Sequence, residues 1–387
     1  MKHPYVQLVA LTLICCLGQF GIDIVAPSLP AISHAFHVSI HLAQWSMVIY
    51  LLSWSLSPII YGPLADKIGR KPPLLIGVIL IMVGSALCAS ATNISMLMTA
   101  RFIQGLGGGA CVLWRSMFRD SFKGDELAKM GSYLGTLIIF IVPAAPLLGG
   151  LFQVTWGWRA SFIFMCIYGI ASFLTTIFIL EETHDRTQHA SLPVFKTFLE
   201  ILKHPTFLCY VFTVCMTFGA FYAWFVVGPV LWIGQLNHSS ISFGIITFIV
   251  SAIMMLLASI TNGKLVSRLT RPVMLRTGWL IMIIAGTLLV IGSAFIGINA
   301  YTLFIPIAIL YFGATLIYPN VNASAFTPFG HIAGYATAVY ALGQSFGGFA
   351  IGGLMAHLPD TNAIPLGISI IVAASLAWIV FDSRCHQ

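Results

Sequence analysis

The chain has 387 residues, of which 59% are hydrophobic and only 7% are Asp, Glu, Lys or Arg. Soluble domains carry roughly a quarter charged residues, so this composition excludes a soluble globular protein and predicts a polytopic membrane protein. The apolar segments are continuous and do not alternate with polar residues, which excludes a membrane β-barrel.

Twelve apolar segments of about 20 residues, long enough to cross a hydrocarbon core of about 30 Å, follow one another along the chain. We predict helices at 5–28, 42–64, 74–92, 97–118, 129–152, 160–180, 206–230, 241–262, 274–294, 301–321, 332–357 and 364–382. The tenth segment is interrupted by Pro306 and Pro319, and Pro328 separates it from the eleventh. These two boundaries are the weakest in the sequence pattern, because proline disfavours helix interiors.

A polar stretch over 181–204 separates six segments from six. We predict an amino-terminal six-helix bundle over 1–182, a cytoplasmic linker over 183–204, and a carboxyl-terminal bundle over 205–387. Within the linker, residues 194–203 have the pattern of a short amphipathic helix at the membrane surface.

The basic residues predict the orientation. All Lys and Arg except Arg101 and Arg159 fall on the side of the membrane that also holds both termini. Positive charge favours the cytoplasmic side, so both termini are expected in the cytoplasm of a bacterial-type inner (plasma) membrane. The net charge of +7 is then a consequence of topology and does not indicate nucleic-acid binding.

The loop after the second segment is echoed after the eighth. "GPLADKIGRKPPLL" (62–75) aligns with "GKLVSRLTRPVML" (263–275), so that Gly62 matches Gly263 and Arg70 matches Arg271. Asp66 has no counterpart, because Ser267 stands at its position. Two similar halves predict a transporter built from repeats, with its binding site between them near mid-membrane.

This loop resembles the signature Gly-x-Leu-Ala-Asp-x-x-Gly-Arg-Lys/Arg of the major facilitator superfamily, at Gly62, Asp66, Gly69, Arg70 and Lys71. Further stretches are similar to the twelve-span drug:proton antiporters and their bicyclomycin/chloramphenicol resistance (Bcr/CflA) subfamily: "DIVAPSLPAI" (23–32), "RFIQGLGGGA" (101–110), "PAAPLLGG" (143–150) and "FTPFGHIAGYATA" (326–338). The general antiporter motif has Gly where this chain has Ala145.

The resemblance implies an all-α integral membrane fold of twelve helices in two pseudo-symmetric bundles. It implies export of small amphipathic organic compounds by drug:H+ antiport and alternating access. The expected partners are a small-molecule substrate, protons and the lipid bilayer, and the protein is expected to be a monomer. No cofactor and no metal are expected, since the proton gradient supplies the energy and no Walker sequence is present.

Asp23 is the one acidic residue well inside a segment, and Arg101 is the one basic residue plainly inside a segment. A charge at this depth costs about 2.5–3.5 kcal/mol on insertion scales, so it indicates a cavity or a partner. Asp23 is predicted to carry the coupling proton, or else to form a structural ion pair or helix cap. Arg101, with Gln104 one turn away, is predicted to serve proton transfer, or else to snorkel to the interface.

Other site predictions rest on polar, proline or glycine residues. Aromatic and weakly polar side chains of the second half are candidates for lining the cavity, or else they pack between helices: Tyr222, Trp224, Asn320, Tyr340 and Gln344. The fifth segment, with Pro143, Pro146, Gly149 and Gly150, is expected to bend and seal the halves, or simply to pack tightly. Asp66, Arg70 and Asp120 are expected to form a cytoplasmic gating network in which Asp66 binds the start of the eleventh helix near Gly330–Gly334.

Three alternatives remain at the level of sequence. The first is a proton-coupled exporter or importer of an endogenous metabolite, such as a siderophore or an amino acid. The second is a membrane-embedded enzyme, which would need a nucleophile, base or metal cluster that one Asp and one Arg do not supply. The third is a channel, which single-channel currents would reveal. The sequence favours a transporter over both of the latter.

Overall fold

A computed structural model of the chain describes residues 4–183, 194–326, 329 and 333–384. Twelve helices in this part are long and apolar enough to cross a membrane. We label them α1 (Pro4–Phe36), α2 (Ile40–Ile68), α3 (Lys71–Ala89), α4 (Ile94–Ser121), α5 (Gly124–Trp156), α6 (Arg159–Phe178), α7 (Pro205–Gln235), α8 (Ser240–Leu265), α9 (Arg271–Phe295), α10 (Ala300–Ala325), α11 (Ala333–Met355) and α12 (Ile364–Arg384). The predicted number of spans is confirmed.

Three helices are irregular inside their length. α1 is α-helical over Pro4–Asp23, passes through a 3-10 turn at Ala26–Ser28, and resumes over Leu29–Phe36. α4 contains a 3-10 turn at Cys111–Leu113, and α7 ends in a π-helical turn at Val230–Gln235. Such local changes of helix type free backbone groups and often occur at functional sites.

α1 is longer than the sequence predicts, and the first external loop is correspondingly shorter. Pro27 and Pro30 each stand in the first turn of a helical piece, where proline is tolerated because no backbone donor is needed there. The predicted spans 5–28 and 42–64 place His34, His37 and His41 in the loop between them, but this is wrong for His34, which lies within α1, and for His41, which lies in α2. α10 runs through both Pro306 and Pro319, whereas Pro328 lies outside the described residues.

The helices pack in two sets, α1–α6 and α7–α12, with two main contacts across the sets. α2 packs on α11, and α5 packs on α8. The second and fifth helices of one set thus meet the fifth and second helices of the other, as a two-fold pseudo-symmetric arrangement requires. The short linker helix Val194–Leu202 forms where the amphipathic pattern predicts it, and it contacts α7 and α11.

Each set also joins its third and sixth helices at the face that carries both termini, here called the basic face. In the first set, the backbone amides of Arg70 and Lys71 donate to Glu182 at 2.9 and 3.0 Å, while Lys71 Nζ donates to two carbonyls at the end of α6. In the second set, Arg276 of α9 pairs with Asp382 of α12 at 2.9 Å. A carboxylate at a helix start and a cation at a helix end both suit the helix dipole.

Candidate functional site

Arg101 lies at the centre of a buried polar network inside the first set of helices. Its side chain is fully buried. Its Nη1 donates to the Gly21 carbonyl at 2.8 Å and to Gln104 Oε1 at 2.6 Å, and its Nε donates to the Ser46 carbonyl at 3.1 Å. The guanidinium also lies 4.3 Å from the centre of the Tyr50 ring, a cation–π contact. The side chain therefore does not extend to the membrane surface.

Gln104 continues the network to a further helix. Its Nε2 donates to Ser85 Oγ of α3 at 2.7 Å, while its Oε1 accepts from Arg101. The spacing of three residues on α4, noted in the sequence, is what lets the two side chains meet. The network joins α1, α2, α3 and α4, so that a displacement of any one of these helices would disturb the guanidinium.

Asp23 lies at the end of the first helical piece of α1, directly before the 3-10 turn. Its side chain is buried, and Arg101 lies within electrostatic range. No direct ion pair joins the two side chains, both of which the structure describes. Arg101 Nη2 is buried and has no hydrogen-bond partner among the described residues. The carboxylate and a free guanidinium donor are thus neighbours without being bonded.

The second set of helices presents two tyrosines to this region. Tyr222 of α7 and Tyr311 of α10 both lie within electrostatic range of Asp23. Their hydroxyl groups are buried and find no hydrogen-bond partner in the described part of the chain. A phenolic hydroxyl can donate to a carboxylate or accept from a carboxylic acid. The region around Asp23 therefore combines groups from both halves.

A cavity of about 150 Å³ lies between the two sets of helices, next to this region. Its lining comes from α1, α2, α4 and α5 on one side and from α7 and α11 on the other, and includes Gln19, Trp54, Trp114, Arg115, Phe218 and Gln344. Ile22, the neighbour of Asp23, also borders it. This central cavity lies where two-repeat transporters bind their substrates.

Of the five side chains considered for cavity lining, Gln344 borders this cavity and the other four do not. Trp224 is buried against Phe243 and Phe304. Asn320 donates to Asn262 Oδ1 at 2.6 Å and to the Leu316 carbonyl at 2.8 Å. Tyr222 and Tyr340 are also buried among neighbouring helices. In this conformation the packing alternative describes these four side chains.

The fifth segment, α5, packs against α1 of its own half and against α8 of the other half, as the sealing hypothesis requires. α5 is helical through Pro143 and Pro146. A side chain at Gly149 would collide with the Ile24 carbonyl of α1, and one at Gly150 would collide with the Ser240 carbonyl of α8. The absence of a Cβ is thus what allows α5 to approach the other half closely.

On the basic face, Arg70 forms an ion pair with Asp120, as the network hypothesis expects. Gly69 has a φ of +98°, a conformation that favours glycine, and its Cα faces the Glu182 carboxylate. Asp66 lies within electrostatic range of Tyr335 at the start of α11. Residues 330–332 of the predicted Asp66 contact near Gly330–Gly334 lie outside the described residues, so that contact stays a prediction. Glu182 was missed, because in the sequence it reads as the start of a polar linker.

A second link between the halves lies on the opposite face, and sequence reasoning missed it as well. Gln44 Nε2 of α2 donates to Asp360 Oδ2 at 2.9 Å and to the Val226 carbonyl of α7 at 3.1 Å. His41 Nδ1 lies 3.8 Å from the same carboxylate oxygen. Only the composition of the segment hints at this contact, since Gln44 is one of few strongly polar residues in α2.

No group of three or more His, Cys, Asp or Glu side chains arranged to hold a metal ion occurs within the described ranges. His34, His37 and His41 therefore do not form such a cluster with acidic or cysteine side chains there. The site's chemistry rests instead on one carboxylate, two arginines, amides and aromatic rings.

Comparisons with known proteins agree with this architecture. The family model described as Major Facilitator Superfamily matches residues 11–352. The chain is 26% identical to the Bicyclomycin resistance protein homolog of Haemophilus influenzae, covering 99% of this chain and 98% of that one. It is 27% identical to Multidrug resistance protein D of Escherichia coli, covering 98% and 97%. The Chloramphenicol resistance protein of Pseudomonas aeruginosa is 26% identical, covering 95% and 87%.

Among solved structures, the inward-open xylose transporter XylE of Escherichia coli matches with a TM-score of 0.73. The alignment covers 97% of this chain and 96% of the other at 15% sequence identity. At this identity the likeness concerns the fold. It places the central cavity in a known twelve-helix architecture without indicating a substrate.

Proposed function

The chain belongs to the Major Facilitator Superfamily, and from that premise we propose that it exports small amphipathic organic compounds in exchange for protons. The observation that carries the proposal is Asp23, a buried carboxylate that directly follows the cavity-lining Ile22 and lies within electrostatic range of Arg101, whose Nη2 has no hydrogen-bond partner among the described residues. A buried ionised carboxylate needs a charged or strongly hydrogen-bonding partner, whereas a protonated carboxyl needs only ordinary hydrogen bonds. The proton therefore decides which contacts around Asp23 are favourable.

The proposed cycle uses these contacts. A proton from outside binds Asp23, and the carboxyl group becomes neutral. Release of the proton to the cytoplasm leaves a carboxylate that attracts the guanidinium of Arg101 and the hydroxyls of Tyr222 and Tyr311. Since the tyrosines belong to the other half, a change in the charge of Asp23 biases how the two halves sit against each other.

The names of the relatives support export over import, since three of them refer to resistance to a drug. The proposed energy source is the proton gradient, and the proposed active form is a monomer with both termini in the cytoplasm. With this orientation the basic face is cytoplasmic, and the face with Gln44 and Asp360 is external. A carboxyl-terminal fluorescent protein that fails to fluoresce in cells would contradict the orientation.

The transport claim is tested with purified protein in liposomes under an imposed pH gradient. Radiolabelled chloramphenicol is the first compound, followed by a panel that includes amino acids and siderophores. The wild type should accumulate at least one compound against its gradient, and Asp23→Asn should abolish accumulation. Asp125→Asn, which removes an exposed acid at the start of α5, is the matched control and should transport normally. Uphill transport by Asp23→Asn would overturn the assignment of the proton site.

A further inference from the structure

Arg115 is the one formally charged side chain among the described residues that line the central cavity. It lies in the last helical piece of α4, Trp114–Ser121, which follows the 3-10 turn. In the sequence it is one of many basic residues on the side predicted to be cytoplasmic. The structure places it between the halves, where a transported compound would bind.

Arg115 has no carboxylate partner in the described part of the chain. Its guanidinium carbon lies 5.7 Å from the centre of the Trp114 ring. Two other arginines of the basic face form ion pairs, Arg70 with Asp120 and Arg276 with Asp382. A cavity cation that the protein leaves without a counter-charge favours an anion from outside the chain.

The remaining lining suits the rest of such a ligand. Trp54, Trp114 and Phe218 offer aromatic faces, while Gln19, Gln344 and Ser345 offer amide and hydroxyl donors. The combination of an aromatic wall, neutral donors and one guanidinium is typical of a site for an organic acid.

The size of the cavity limits what it holds in this conformation. Its volume of about 150 Å³ is smaller than the roughly 300–1,000 Å³ of sites for drug-sized ligands. The cavity therefore holds only one end of a ligand. This end contacts Arg115, so Arg115 selects its chemistry.

We propose that Arg115 selects ligands that carry a carboxylate on an aromatic or apolar body, and that it disfavours cationic compounds. This inference rests on the proposed transport function, because it names the ligand class of the same cavity. Arg115 binds the carboxylate through its guanidinium, and the tryptophans and Phe218 contact the apolar body. A cationic ligand would instead be repelled by Arg115 and would find no carboxylate in the described lining to offset the repulsion.

The test uses three probes that share one fluorophore. Dansylglycine carries a carboxylate, dansylglycinamide is its neutral amide, and dansylcadaverine carries an ammonium group. Binding to the full chain in nanodiscs at pH 7.5 is followed by energy transfer from tryptophan to dansyl, since Trp54 and Trp114 line the cavity. Empty nanodiscs give the correction for partition into lipid.

Wild-type protein should bind dansylglycine roughly tenfold or more tightly than dansylglycinamide, as expected for one charge-assisted hydrogen bond. Dansylcadaverine should bind most weakly. Arg115→Gln should reduce the ratio to nearly one while keeping the affinity for dansylglycinamide, which also shows that the variant is folded. Arg115→Lys should keep an intermediate preference. Arg119→Gln removes the same charge one turn further along this exposed end of α4 and should behave as wild type.

Equal affinities for the acid and the amide in wild type would overturn the proposal, as would an unchanged ratio in Arg115→Gln. If Arg115→Gln does not fold, Arg115→Glu and Arg115→Lys decide the question through the sign and size of the change. Failure of the proposed function gives a different result. In that case the preference for the acid persists, and no compound accumulates under a pH gradient in liposomes.

Discussion

Gln44 and Asp360, 316 residues apart in the chain, are joined by a buried hydrogen bond of 2.9 Å. The same amide nitrogen also donates to the Val226 carbonyl, so that one side chain of α2 holds two elements of the other half. Gln44 is fully buried. The contact closes the end of the interface opposite the basic face in this conformation, and it has to break whenever the halves separate there.

Removal of this contact should favour opening of the external face. Gln44→Ala deletes both donated hydrogen bonds and leaves the Asp360 carboxyl and the Val226 carbonyl without that partner, at a cost of about 1–3 kcal/mol each. Hydrogen–deuterium exchange of segments 37–48 and 356–364 should become faster. Thr361→Ala, a change at an exposed neighbour of Asp360, should leave exchange as it is. Identical exchange in Gln44→Ala and wild type would show that the contact does not hold the halves.

The external contact should also depend on pH. Burial raises the pKa of Asp360 to about 6, against the opposing effects of the Gln44 hydrogen bond and of nearby His41. In the open form the exposed carboxyl should titrate near its ordinary value of about 3.9. Between these two pKa values the closed form then binds more protons than the open form. The stability that this protonation gives to the closed form is therefore complete at low pH and is lost as the pH rises through about 6.

The protection factors of the same two segments, which correct for the intrinsic pH dependence of amide exchange, should accordingly be higher at pH 5 than at pH 7.5. Asp360→Asn carries no titrating group and should lose most of this difference. Histidines at 41 and 357 also lie on this face, and His357 packs on Trp45. The double variant His41→Gln, His357→Gln therefore serves as a control. A pH response that disappears with the histidines and persists without Asp360 would contradict the prediction.

Arg101 should matter for both transport and stability. Arg101→Ala leaves the acceptors on Gly21, Ser46 and Gln104 without their donor, and each unsatisfied buried group costs about 1–3 kcal/mol. Arg101→Lys keeps the charge and cannot reproduce the planar set of donors. We expect both variants to lower the melting temperature and to abolish gradient-driven transport.

The discriminating measurement for Arg101 is the pH dependence of substrate binding in variants that remain folded. A residue that acts on Asp23 should shift this dependence, whereas a purely structural residue should change only the melting temperature. Arg159→Lys, which changes an arginine that binds the Ala89 and Ala91 carbonyls at a helix end, gives the corresponding comparison outside the network. Normal flux in Arg101→Ala would remove the residue from the coupling mechanism.

Gly150 should be intolerant of even one methyl group. The added Cβ would meet the backbone of Ser240 and lie 3.0 Å from Ile241 Cα, and backbone atoms cannot move aside cheaply. Gly150→Ala should force α5 and α8 apart and dissipate an imposed pH gradient faster in liposomes without substrate. Gly135→Ala in the same helix meets nothing within 4 Å and should leave the gradient stable. Equal leak in the two variants would contradict the sealing role.

The structural features that the sequence predicts correctly are those that depend on composition or on short spacings along the chain. The twelve spans follow from continuous apolar segments, and the contact of Arg101 with Gln104 follows from a separation of three residues on a helix. Contacts over long separations were missed, because nothing near Gln44 in the chain points to Asp360. The extent of α1 beyond residue 28 was missed for another reason, since Pro30 indicates a loop in the sequence and only the structure shows it at a helix start.

The pairing of Glu182 with the start of α3 has a mechanical consequence. Glu182 stands where the chain leaves the first half, and Lys71 holds the end of α6 in return. The connection to the second half therefore starts from an anchored point, not from a frayed helix end. A displacement of the chain at Glu182 would act through these hydrogen bonds on the first turn of α3, directly beside the Arg70–Asp120 ion pair. The start of α3 and the electrostatic contacts of this face would then respond to the same displacement.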